Sequence, residues 1–277
     1  MKLNDNKEKK ETEQNEIVSL DSTTVELSSI VSSKCSIVNT KNTKYESHNK
    51  VELRSIGTLG EKVLHAILKQ YYEPDETRHE IKVGSFIADI VSDEGIIEIQ
   101  TRSFDKLRKK LTEFLQFYPV TVVYPLPKKK WLIWIDEETG EATKKRLSPK
   151  LGFVYDAFQE LYKIKPFLKH PNFHLCIVLI NMEEYRYLDG WSKDKKKGST
   201  RCNRIPIDIT DEVYFNKNED YLQFIPDCLN DGFTSMEYKS ATRLSLRNAQ
   251  TGLNILHDIG AVTRIGKQGK LYVYKRT

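Results

Sequence analysis

The chain has 277 residues, 39% of them hydrophobic and 30% charged, with a formal net charge of +5, which is enough apolar content to bury a core in one large domain or two smaller ones. No apolar run approaches the ~20 residues that cross a bilayer, and the polar start Met1–Asn6 precedes no signal-peptide core, so a membrane protein is excluded and a cytoplasmic location expected. Cys35, Cys176, Cys202 and Cys228 are widely spaced and form no CxxC pair, which argues against a zinc ribbon or a disulfide scaffold.

Residues 1–50 are rich in Ser, Thr, Asn, Lys and Glu without sustained periodicity and read as a disordered polar tail. Thr58-Leu59-Gly60-Glu61 forms a capping-box pattern, and Leu64, Ile67, Leu68 and Tyr71 supply the apolar stripe of a helix that Pro74 closes. Strands are predicted at His79–Val83, Phe86–Ser92 and Gly95–Thr101, then a helix over Phe104–Phe117. Val120–Tyr124 and Trp131–Ile135 read as strands on either side of a basic turn, Lys128-Lys129-Lys130. A helix over Tyr155–Leu168, a strand at Phe173–Ile180, a basic loop at Trp191–Arg204 and a strand at Ile205–Phe215 follow. Helix, three strands, helix and strand make an α/β pattern, with a mixed central sheet flanked by helices expected over residues 51–230.

A separate small domain is expected at 231–277. Thr234-Ser235-Met236-Glu237 is a second capping box, Ser245 is placed to cap a helix running to Ile259, and Gly260 stops it. Arg247, Asn248, Gln250, Thr251 and Asn254 are expected to point outward, and Gly266–Lys270 forms a basic hairpin tip. From Phe233 onward eight basic side chains face only Glu237 and Asp258, so the positive field is concentrated there. The order resembles a winged helix-turn-helix, in which the outward face would enter a major groove while Lys267 and Lys270 touch phosphates. The alternative is a small module that packs on the main domain or on another protein.

Two strands carry lone charges. Asp89 is the only charge in Phe86–Val91, and Glu98 the only one in Gly95–Thr101. A carboxylate in a strand that is apolar on both faces needs hydrogen bonds, a cation or a proton. A two-residue turn at Asp93-Glu94 would pair Asp89 with Glu98 on one face, a four-residue turn would shift them diagonally, and a three-residue turn with Gly95 left-handed would separate them. Two adjacent carboxylates suit Mg²⁺ or Mn²⁺, which can polarise a phosphodiester and generate hydroxide. Blander readings are available: Glu61 as capping acid, Asp89 bonding backbone amides, Glu98 paired with Lys82 or Arg102, and Gln100 satisfied within the sheet. His65, His79, His170, His174 and His257 form no evident pair and receive no role.

These residues resemble the core of the PD-(D/E)XK nuclease superfamily over about Ser55–Tyr124. Asp89 falls on its strand aspartate, Glu98-Ile99-Gln100 on its (D/E)xK tripeptide, here in an ExQ form, and Glu61 on its first-helix acid; Ala88 stands in place of the proline. The longer stretch to the end is similar to uncharacterised bacterial proteins joining such a core to a C-terminal winged helix. The resemblance implies a metal-dependent DNA endonuclease in which Asp89, Glu98, the Ile99 carbonyl and Glu61 hold Mg²⁺ or Mn²⁺. Gln100 or Lys82 would orient water, Arg102 would lie near the scissile phosphate, and cutting both strands would need a homodimer. The rivals are a DNA-binding regulator with a degenerate nuclease fold, favoured by the loss of the lysine, and a protein-interaction adaptor.

Overall fold

The computed structural model describes residues 63–136, 138–188 and 200–277; the polar tail, Glu61 and loop residues 191–199 lie outside them. Helix α1 spans residues 63–72 and buries Leu64, Ile67 and Leu68, the stripe its spacing predicts. Strands β1 (His79–Val83), β2 (Phe86–Ser92) and β3 (Gly95–Ile99) form an antiparallel meander. The segment after β3 starts as a 3₁₀ turn, Phe104–Leu107, and becomes α2 (Arg108–Phe114).

The next element departs from expectation. Strand β4 runs without a break from Val120 to Ile135, through the three lysines read as a turn and through Pro125 and Pro127. Proline is tolerated in a sheet only where its missing N–H is not needed. The Val123 carbonyl accepts the Gln100 amide at 2.9 Å, so the odd positions of β4 face β3. Because β3 ends at Ile99, opposite Val123, Pro125 and Pro127 face the side that β3 has vacated. The three lysines produce only a register shift against the next strand, between Pro127 and Lys130.

Short β5 (Arg146–Leu147) pairs with β4, and α3 (Phe158–Lys163) sits between 3₁₀ turns. Strands β6 (Phe173–Tyr187) and β7 (Arg201–Phe215) are longer than their apolar cores predict. The sheet has order β1-β2-β3-β4-β6-β7, parallel at β3/β4 and β4/β6 and antiparallel elsewhere. A large mixed sheet flanked by helices is therefore present. Toward the far ends of the long strands Glu184, fully buried, carries a cluster of cations: Arg186 holds Oε1, while Lys130 and Arg204 reach Oε2 at 3.4 and 3.3 Å and Arg201 at 3.5 Å.

The C-terminal segment contains β8 (Phe233–Thr234), α4 (Ser235–Thr242), α5 (Leu246–Ile259), β9 (Val262–Gln268) and β10 (Leu271–Arg276), with a second sheet in the order β8-β10-β9. Both expected N-caps form: Thr234 and Glu237 exchange bonds as a capping box, and Ser245 Oγ accepts the Asn248 amide at 3.2 Å. Independence of this segment from the sheet does not follow. Ala249, Leu253 and Leu256 of α5 belong to the same core as Val122, Ile177 and Phe158.

Gly252 marks the contact. A Cβ there would lie 2.6 Å from Cε2 of Phe158, whose ring packs at a tilt against Phe224, centroids 4.7 Å apart. Gly252→Ala is expected to lower stability by up to about 2 kcal/mol in urea unfolding, since overpacking costs ~1–3 kcal/mol against the ~1 kcal/mol that alanine adds to a helix. A variant as stable as wild type would mean that the Phe158 ring yields.

Candidate active site

The turn between β2 and β3 has two central residues, Asp93 and Glu94, with Ser92 opposite Gly95 and Ile90 opposite Ile97. One step further the same register sets Asp89 opposite Glu98. Gly95 is required at the turn's exit: its φ is +134°, and a Cβ would lie 2.4 Å from the Pro119 carbonyl oxygen.

Regular alternation fails at Asp89. Ala88 packs into the larger core with Phe86, on the α2 side of the sheet, whereas Ile90 packs with Leu64 and Leu68 of α1 on the other side. Residues two apart in an even strand share a face, so β2 changes face at Asp89. Across from this point, Glu80 of β1 adopts the left-handed conformation, φ +55°. The irregularity frees the Asp89 amide from the ladder, and it donates to Glu98 Oε1 at 3.4 Å.

The two carboxylates have different surroundings. Asp89 Oδ2 meets His65 Nε2 at 3.0 Å and accepts the Ile99 amide at 2.8 Å; among the described residues its Oδ1 accepts no hydrogen bond. Burial alone would raise Asp89, but His65, the Ile99 amide and Lys110 hold it below the ordinary carboxylate range. Glu98 is 1% exposed, and Lys110 of α2 donates to both its oxygens, at 3.0 and 2.8 Å. Burial and repulsion from Asp89 push Glu98 up to about 7 against the pull of that ammonium. One acid is thus firmly ionised while its neighbour titrates near neutrality, a splitting typical of acid–base sites.

Both carboxylates line a cleft of about 620 Å³, whose rim carries Lys69, Arg102, Lys106 and Lys110 against the acids Glu80, Asp89 and Glu98. Lys69 is held by Glu80 at 2.7 Å. Among the described residues no three His, Cys, Asp or Glu side chains gather as a metal centre. Mg²⁺ does not need that many: it commonly takes one or two carboxylates and completes its shell with water and phosphate oxygens. Asp89 with an unused Oδ1 and Glu98 repelled by its neighbour fit such an ion, and the Ile99 backbone lines the same cleft.

Several expected roles change. Lys82 is exposed on β1 opposite Ile87, which is 58% exposed, and does not line the cleft. Gln100 lines it, but its amide is spent bracing the following turn: Nε2 donates to the Arg102 carbonyl and, at 3.4 Å, to that of Ser103, a left-handed residue. Glu61 lies outside the described residues. On α5, Asn248 Oδ1 accepts Gln159 Nε2 at 2.9 Å and Asn254 Oδ1 accepts Lys165 Nζ at 3.3 Å, so both side chains meet the α/β sheet's helices and do not point outward. Thr251 Oγ1 donates to the Arg247 carbonyl, while Arg247, Gln250, Lys267 and Lys270 are exposed.

His65 received no role from the sequence, and Lys110 was not placed at the carboxylates. The available signal was spacing: His65 with Lys69, and Lys106 with Lys110, stand four apart on helices flanking the carboxylate strands, which aligns each pair on one face.

Comparison with known sequences adds family but no activity. The sequence model of a domain of unknown function (DUF8091) matches residues 62–216. An uncharacterised protein of Treponema pallidum (strain Nichols) is 27% identical over 224 residues, spanning 80% of this chain and 88% of its own length. No solved structure matches the chain.

Proposed function

The chain belongs to the DUF8091 family, and we propose that this member is a metal-dependent nuclease that hydrolyses phosphodiester bonds of DNA in the Asp89–Glu98 cleft. The reading is carried by the convergence of Asp89, Glu98 and Lys110 where β2 changes face, inside a cleft with a basic rim. Asp89, Glu98 and the Ile99 carbonyl are the groups that would hold Mg²⁺. Bound there, the ion supplies Lewis-acid polarisation of the phosphate and a hydroxide nucleophile. His65 fixes the orientation of Asp89. Lys110 offsets the paired negative charge and sets when Glu98 ionises. Lys106, Arg102 and Lys69 line the cleft where backbone phosphates would lie.

The C-terminal segment keeps the helix–turn–helix and hairpin order of a winged helix, and in that role its contacts to DNA would come from Arg247, Gln250, Lys267 and Lys270. A second reading, DNA binding without turnover, is favoured by one observation: Gln100 is committed to the turn at Arg102–Ser103.

The test is nicking of supercoiled plasmid with Mg²⁺, with Mn²⁺ or in EDTA. Cleavage is expected with metal, to stop in EDTA, and to fall by at least about 10³-fold in Asp89→Asn. Plasmid that is shifted in gels yet stays intact with either metal would establish the binding-only reading.

A further inference from the structure

Residues 261–277 carry Arg264, Lys267, Lys270, Lys275 and Arg276 and no carboxylate. Arg276 is spent within the fold, where it donates to the carbonyls of Leu229 and Pro226. The other four are exposed, and among the described residues they make no ion pair. Charges of one sign left together without counter-ions set up a field that draws an anionic partner. Helix α5 is less free to meet one, because Asn248, Gly252 and Asn254 are set against α3 and the turn after it. From Thr263 to Lys270 every residue is exposed, so the β9–β10 hairpin stands open.

One face of the hairpin also carries aromatic rings. Tyr272 lies opposite Lys267, and Tyr274 opposite Arg264. The two tyrosines are two residues apart on β10 and share a face. Arg264 and Lys267 are three apart, which in an even strand would send them to opposite faces. The register shift between Val273 and Tyr274 adds one residue, Ile265, to β9 and brings both cations to the tyrosine face. The Arg264 guanidinium accordingly lies 4.2 Å from the centre of the Tyr272 ring and 5.9 Å from that of Tyr274, and the Lys267 ammonium lies 5.1 Å from that of Tyr272. Tyr274 is buried, whereas Tyr272 is 40% exposed.

An exposed ring flanked by unpaired cations suits a partner that is both anionic and flat. Bases within a duplex offer their edges, while an unpaired strand offers a base face and a phosphate at every step. We propose that this hairpin face binds an unpaired DNA strand, with a base stacked on the Tyr272–Arg264 pair and phosphates on Lys267 and Lys270. The proposal rests on the DNA-directed reading above and narrows its substrate to DNA with a single-stranded stretch.

The full chain is titrated in EDTA by fluorescence anisotropy with a thymine strand, an abasic strand of the same length and a duplex. Wild type is expected to bind the thymine strand at least about 10-fold more tightly than the abasic one, the worth of a stacked base. Tyr272→Leu, which keeps an apolar side chain, should lose that advantage, and Tyr272→Phe, which keeps the ring, should stay within about twofold of wild type. Lys270→Ala should lower the slope of log affinity against log salt by about 0.7. Melting temperatures show whether the variants are folded, and the abasic comparison needs no variant. Equal wild-type affinity for the thymine and abasic strands would overturn the proposal and leave a surface that any polyanion can occupy. Tyr272→Leu weakening duplex and thymine strand alike would overturn it in favour of groove contacts. EDTA keeps the two ideas apart: strand binding that depends on Tyr272, in a protein that never nicks plasmid, would remove the nuclease and leave the hairpin. Metal-dependent nicking by a chain that does not bind the thymine strand would do the reverse.

Discussion

Lys110→Ala is expected to lower metal-dependent cleavage by about 10²–10⁴-fold, the range for losing a positioned charge or proton-transfer group, whereas Gln100→Ala should stay within a few-fold of wild type. Lys110 Nζ contacts both oxygens of Glu98, and Glu98 already titrates near 7 because Asp89 and burial oppose its ionisation. Without the ammonium its titration moves higher still, and at neutral pH the protonated acid no longer offers two anionic oxygens to a dication. The pH profile identifies this cause: the rising limb of nicking rate against pH shifts to higher pH in Lys110→Ala and returns toward wild type in Lys110→Arg, which keeps the charge. A slow variant with an unshifted limb would assign Lys110 to scaffolding, and an unchanged rate would remove it from the site.

The second large effect concerns stability. Burial by itself would raise the Glu184 carboxyl, but Lys130, Arg186, Arg201 and Arg204 outweigh it and hold the group at about 2. A carboxyl depressed in the folded state contributes stability above its unfolded value, near 4.5, and loses that contribution as pH falls from there through about 2. A shift of this size is worth about 3 kcal/mol. Glu184→Gln leaves four cations around a neutral amide and is expected to cost about 3–5 kcal/mol at pH 7. Urea unfolding should show the difference between wild type and variant shrinking as the pH drops from 5 to 2. A constant difference across that range would mean that packing, not charge, makes Glu184 matter.

What the sequence revealed depended on how local each cause is. The caps at Thr234 and Ser245 bond within three residues, so four letters suffice to read them. Asp89 and Glu98 stood out as single charges in apolar strands, and the two-residue turn that pairs them was one of three geometries the letters allowed. Lys110 and His65 depend on where α2 and α1 lie over the sheet; their four-residue spacing from Lys106 and Lys69 marks a shared face but not what that face meets. Lys128–Lys130 read as a turn where β4 in fact runs on, and the strand can pass through Pro125 and Pro127 because β3 has ended two positions earlier. Asn248 and Asn254 read as an outward polar face because an amide that meets Gln159 or Lys165 looks the same in sequence as one that meets a base. The contrary signal was Gly252: a glycine inside a helix is destabilising unless something lies close against it.

That close packing has a consequence for how the protein is made. The ring of Phe158 is covered by α5, which ends at Ile259, while the sheet's last strand, β7, ends at Phe215. At about 5–20 residues per second, synthesis of the intervening segment takes about 2–9 s. Throughout that time the nascent chain carries every strand of its large sheet and an uncovered aromatic surface beside it. This is the interval in which a holdase would capture the chain, and in which slower translation would expose it longest to aggregation.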